Sequence, residues 1–157
     1  MVAQSGAILA AGLELLGAGG SYTLTNTGNN IATLAADTGS VSYTDSNALS
    51  IGTVNTIGIT ATGLIDVRTQ SGDLTLNNVI STTSASTSAV TLVADVTATT
   101  NATGTGGNFK NASGLGALTI ATGVGGAWRI YAGNPADTTR VGLVEAGKRY
   151  NVDFGSD

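Results

Sequence analysis

The chain has 157 residues, of which 10% are charged and 4% aromatic, and a formal net charge of -4. That length makes one domain, and the mild acidity offers no electrostatic footprint for nucleic acid. With neither histidine nor cysteine, the chain lacks the commonest general base and metal ligand, which excludes Ser-His-Asp, Cys-His and zinc constellations.

Residues 7–17, AILAAGLELLG, are the first apolar stretch. They lack a basic leader, contain Glu14 and are too short to span a bilayer, so no export signal or membrane insertion is expected from them. Ile8, Leu9, Leu13 and Leu16 fit a helical stripe. Gly12 and the strand-like sequel favour a first rung of sheet instead.

From Gly12 to Val96 a short apolar pair keeps returning. Leu13/Leu15, Tyr22/Leu24, Val41/Tyr43, Leu49/Ile51, Ile57/Ile59, Ile65/Val67, Leu74/Leu76 and Val90/Leu92 each turn two side chains to one face of a strand. Gly, Asn, Asp, Ser and Thr separate the pairs, and these residues suit corners. Every third pair aligns, so that Val41 matches Ile65 and Leu49 matches Leu74. The implied repeat is about 24 to 25 residues with three strands in each, the period of a solenoid. Its strands would stack about 4.8 Å apart with aliphatic columns inside.

The pattern loosens at residues 81–88 and 97–114, which read as loops or widened corners. Asn101 and Asn111 each begin a glycosylation triplet, a weak signal in a chain so rich in Ser and Thr. The pairing resumes at Leu118 and Ile120. Residues 125–135 then carry the single Trp and the single Pro, with Trp128, Ile130 and Ala132 on one strand face and Asn134-Pro135 as the stop. A last short strand is expected at residues 150–154. The boundaries are therefore 1–124 for the repeats and 125–157 for a capping rung and tail. Aromatic residues and flanking charges there would cover an exposed edge.

Chemical sites are sparse. Asp66 with Asp73, or Asp37 with Asp45, are the carboxylate pairs able to meet across a corner, but the regular body supplies a single base, Arg68. Asp66 and Arg68 share a strand face and read as a surface ion pair. Neither a calcium loop nor a phosphate loop follows the glycine pairs. Threonine pairs such as Thr23/Thr25 do not recur at the repeat, as an ice-ordering face requires. No catalytic residue, cofactor or metal site is expected. The candidate ligand contacts are Trp128, Arg129 and Tyr131.

The body, with Tyr22-Thr23-Leu24-Thr25-Asn26 and Gly72-Asp73-Leu74-Thr75-Leu76, resembles the repeats of filamentous haemagglutinin-like exoproteins. Residues 128–135, Trp-Arg-Ile-Tyr-Ala-Gly-Asn-Pro, are similar to the Trp-x-Ile/Val-Tyr-Ser-x-x-Pro segment that often closes their β-helix, with Ala132 in place of Ser. The resemblance implies a surface adhesin exported by two-partner secretion in Gram-negative bacteria. The expectation is an all-β, right-handed parallel β-helix of roughly five turns. It would be non-catalytic and located at the bacterial surface, supporting attachment or biofilm cohesion. Its partners would be polysaccharide, host surface or sister chains. The alternatives are a carbohydrate-binding or polysaccharide-cleaving β-helix, separated by an exterior groove of acids, bases and aromatic platforms, and a subunit that stacks end to end.

Overall fold

A computed structural model describes residues 1–98, 106–120, 125–134 and 137–143. Asn101, Pro135 and the strand expected at residues 150–154 lie outside them. The chain is all β, 53% strand, with a mostly parallel sheet not closed into a barrel.

Within residues 7–17 strand begins at Leu9, and none of the stretch is helix. β1 is Val2–Ala3 and β2 runs Leu9–Leu24, followed by β3 at Asn30–Asp45. Nine shorter strands follow: β4 Leu49–Ile51, β5 Ile59–Ala61, β6 Ile65–Thr69, β7 Leu74–Leu76, β8 Ile80–Thr82, β9 Val90–Ala94, β10 Phe109–Asn111, β11 Leu118–Ile120 and β12 Trp128–Ala132. β2 and β3 pair along their lengths, and β3 then pairs in succession with β4, β5 and β6. Three parallel ladders result. The first continues β4–β7–β10, the second β5–β8–β11, and the third β6–β9–β12. β1 adds a strand to the third ladder by pairing with Tyr22 and Thr23.

Alternation along each strand builds the core. Tyr22, Val41, Ile65, Val90 and Trp128 occupy one column of the third ladder, and Leu24, Tyr43, Val67, Leu92 and Ile130 the next. The first ladder stacks Leu34, Ile51 and Leu76, and the second Ile59 and Ile80, all fully buried. Each such aliphatic side chain removed from water stabilises the fold by about 1.5–3 kcal/mol. The expected alignment of Val41 with Ile65 and of Leu49 with Leu74 is the observed register.

Three details differ from the expectation. Ile57 does not share a buried face with Ile59: it is 67% exposed and bridges Thr53 in antiparallel fashion, so residues 53–57 fold back as a loop. That loop reaches β2, where Val54 lies over Gly12, and a Cβ on Gly12 would stand 3.2 Å from the Val54 side chain. The second difference is β10, a strand inside residues 97–114. Its Phe109 is wholly buried and registers on Leu74. A lone aromatic followed by Lys and Asn makes no apolar pair, because the second inward position is the buried Asn111. Likewise Ser81 and Thr82 belong to β8, so the serine-rich loop begins at Thr83. There Thr82, Ser84 and Ser86 hydroxyls each accept the N–H two residues on.

The corners use two chemistries. Between the second and third ladders the chains approach so closely that a Cβ on Gly39 would sit 2.6 Å from Gly19 C and Gly20 O. Between the third and first ladders, polar side chains serve the bent backbone. Buried Asn29 donates to Leu24 O and Thr44 O and accepts from the Ile8 N–H at 2.8 Å. Buried Asp45 accepts from the Ile31 N–H, the Tyr43 hydroxyl and the Asn47 N–H at 3.0, 2.8 and 3.1 Å. Burial, then the hydrogen bond and charge of Asp45, push the Tyr43 phenol well above its ordinary value. One tier on, the Thr69 hydroxyl accepts the Asp95 N–H at 2.9 Å.

Candidate functional site

The sheet's parallel register sets residues from distant parts of the chain side by side on the outer surface of the third ladder. One outward row is Thr23, Ser42, Asp66, Thr91 and Arg129; beside it run Thr44, Arg68, Val93 and Tyr131, of which Thr44 and Val93 are buried. Successive members of a row are about 4.8 Å apart along the stack. The face is hydroxyl-rich at the β2 and β3 end, where the Ser40 hydroxyl donates to Ser21 Oγ at 2.8 Å. A hollow there is lined by Ser21, Thr23, Ser40, Ser42, Leu64 and Asp66.

The charged centre of this face is the Asp66–Arg68 pair. Arg68 Nε donates to Asp66 Oδ1 at 2.7 Å, and Nη2 engages Oδ2, a two-pronged contact. Both side chains are about a third exposed, so the pair contributes at most about 1 kcal/mol. Its effect is geometric, because it holds the guanidinium plane along the strand.

Arg129 and Tyr131 join this face two tiers from Asp66 and Arg68. Trp128 does not. It is turned with Ile130 and Ala132 against the hydrophobic core cluster. The two aromatic residues are thus divided between the faces of β12, leaving Tyr131 as its outward ring. Alternation within β12 was legible in the sequence; the approach of residues 129 and 131 to 66 and 68 was not, since it depends on all three connections between β9 and β12.

The carboxylate pairs do not meet as pairs. Asp45 is enclosed in its corner and Asp37 is exposed, while Asp66 is engaged by Arg68 and Asp73 by Lys110. Burial alone would raise the Asp73 carboxyl; bonds from Lys110 and Asn108 outweigh it and hold the group below its usual range. Glu14 lies on the first ladder under the loop at residues 53–57. Hydrogen bonds from Thr56 and then Asn55 lower it from 4.5 to about 2. Among the described residues no three His, Cys, Asp or Glu side chains gather for a metal ion. Asn111 is 3% exposed, and its amide nitrogen donates to Gly114 O, Arg140 O and Val141 O. It stands as a buried corner residue, closed to a glycan.

Comparison with family models, with curated proteins and with solved structures finds no match for this chain.

Proposed function

We propose that this chain is a non-catalytic segment of a secreted bacterial surface adhesin, in which the three ladders wind as a right-handed parallel β-helix. Residues 1–124 form the body of the stalk and residues 125–157 its closing rung and tail. The carrying observation is the unbroken column from Tyr22 through Val41, Ile65 and Val90 to Trp128, backed by an outward surface of hydroxyls and charges. A stack held by strand pairing along its whole length resists bending and pulling, as a spacer must. Its flat outer face offers repeated polar contacts to an extended ligand such as a polysaccharide or a host-surface glycan.

The reading places ligand contact on the outer surface of the third ladder, with Arg129 and Tyr131 at one end. Arg129 supplies a planar donor fork for carboxylate or sulfate groups, and Tyr131 an amphipathic ring. Binding of the full chain to arrayed glycans and to host-cell surfaces, with the double variant Arg129→Ala and Tyr131→Ala, tests it. The expected result is retention of the wild type and at least a tenfold weaker signal for the variant, with unchanged far-ultraviolet dichroism. Equal binding by both proteins removes this face from the proposal, and no binding by the wild type removes the adhesive role.

A further inference from the structure

The hollow on the third ladder lies on the flank of the stack and not at its end. The strands that line it are each paired on both sides along this stretch: β2 with β1 and β3, β3 with β2 and β6, and β6 with β3 and β9. Its shape therefore comes from side chains standing on completed sheet. It holds about 230 Å³, less than the roughly 300–1,000 Å³ of a site for a drug-sized molecule. A single ring is the ligand of that size.

Side chains there carry hydrogen-bonding capacity that the fold does not use. Among the described residues the Thr23 and Ser42 hydroxyls make no hydrogen bond within the chain. Ser21 accepts from the Ser40 hydroxyl at 2.8 Å and keeps its own proton to donate. Asp66 accepts from Arg68 Nε and Nη2. A carboxylate has about four acceptor positions, so two remain, on a side chain 27% exposed. Thr23, Ser42 and Asp66 stand in one line on successive tiers, about 4.8 Å apart.

An apolar group stands beside this line. Leu64 is 49% exposed, and its carbonyl accepts the Val41 N–H, which sets it one tier beyond Ser40. A leucine open to solvent next to a row of hydroxyls is the complement of a pyranose, whose rim carries hydroxyls and whose faces carry C–H. Charge selects the kind of pyranose. Arg68 is held on Asp66, so the two cancel, and no other charged residue lines the hollow. An anionic sugar would meet the Asp66 carboxylate with no free cation to offset it, and an ammonium group would have to displace Arg68.

We infer that this hollow is a subsite for one uncharged pyranose ring, its hydroxyls on Thr23, Ser42 and Asp66 and its C–H face on Leu64. The inference rests on the reading that this surface meets a saccharide, and adds where one ring sits and which charge class it belongs to. From Asp66 the row runs on through Thr91 to Arg129, about 10 Å away. A saccharide chain with a neutral unit in the hollow therefore reaches the guanidinium with a later unit.

Proton–nitrogen correlation spectra of the labelled full chain test this, with the methyl glycosides of glucose, galactose and mannose as neutral probes and glucuronate and glucosamine as charged ones. One ring covers too little surface for better than about millimolar affinity, so the titrations run well above that level. The expected result is saturable shifts of the Ser21, Thr23, Ser42 and Asp66 amides with at least one neutral probe, and binding at least fivefold weaker for both charged ones. Thr23→Val with Ser42→Ala removes two hydrogen-bonding groups and should weaken the neutral probe at least fivefold. Leu64→Ala should weaken it by a smaller factor, and both variants should keep the wild-type far-ultraviolet dichroism. No saturable shift with any neutral probe, shifts confined to Arg129 and Tyr131, charged probes that bind as tightly, or folded variants that bind like the wild type would each overturn the inference. Retention of the wild type on arrayed glycans without shifts at the hollow removes the subsite and leaves the adhesive reading standing, whereas loss of both removes the reading beneath it.

Discussion

Two corners of this molecule solve one problem in opposite ways. Where the second ladder passes to the third, the chain removes side chains, and Gly39 rests against the backbone of Gly19 and Gly20. Where the third passes to the first, it buries polar side chains, and Asn29, Asp45 and Thr69 serve the N–H and C=O groups that the bend withdraws from the ladders. Buried backbone groups need partners in either case. At a tight corner the neighbouring tier is near enough to supply them: the Gly63 N–H donates to Gly39 O at 2.6 Å. At a wide corner it is not, and a side chain must reach in. Small residues and polar residues at corners are therefore two answers to one accounting requirement.

The sharpest way to break this contrast is at the polar corner. Asp45→Ala leaves the Ile31 N–H, the Tyr43 hydroxyl and the Asn47 N–H without an acceptor. Asn47 is exposed, so water can serve its N–H; at about 1–3 kcal/mol for each buried group left unsatisfied, the two buried donors total about 2–6 kcal/mol, a large share of a typical domain's stability of about 5–15 kcal/mol. Urea denaturation should register it, with Asp45→Asn losing less because one acceptor oxygen remains. A midpoint for Asp45→Ala equal to that of the wild type would show that the corner is wet and not closed.

At the glycine corner the expected effect is smaller. Gly39→Ala sets a methyl against backbone that cannot rotate aside, an overpacking cost of about 1–3 kcal/mol. Gly63→Ala meets its nearest neighbour, Gly39 O, at 3.0 Å rather than 2.6 Å, and so should cost less. Melting temperatures in the order wild type, Gly63→Ala, Gly39→Ala would support the close approach; the reverse order would count against it.

The smallest effect belongs to the loop over β2, an excursion that Glu14 ties to the strand through Asn55 and Thr56. The folded-state value of Glu14 lies below its unfolded one, so its contribution is fully present above the ordinary value of 4.5. It is lost as pH falls through about 2. The Thr56 amide resonance should titrate with a midpoint near 2, and Glu14→Gln should abolish that titration while leaving the melting temperature within error. A midpoint at the ordinary carboxylate value would mean the loop stands away from β2 in solution.

The sequence was most legible where structure is local. Apolar pairs at i and i+2 followed by corner residues required strands with one buried face, and the pairing of Val41 with Ile65 and of Leu49 with Leu74 emerged from spacing alone. Legibility failed where an inward position is polar. Asn29, Asp45 and Asn111 look like exposed loop residues until the neighbouring tier closes over them, and β10 was hidden because Asn111 interrupts its apolar pattern. It failed again at Ile57, whose spacing from Ile59 is that of a buried pair but whose backbone turns out with the loop.

By itself, then, the sequence determined an all-β chain with its aliphatic residues on one side of each strand, and it excluded any histidine or cysteine chemistry. Spacing aligned Val41 with Ile65 and Leu49 with Leu74, but only the tertiary structure decided how β10, β11 and β12 pair, and through that pairing brought Arg129 and Tyr131 into line with Asp66 and Arg68. The reason is physical. Side-chain alternation is dictated within a few bonds, whereas register between tiers depends on the length and hydrogen bonding of every corner between them.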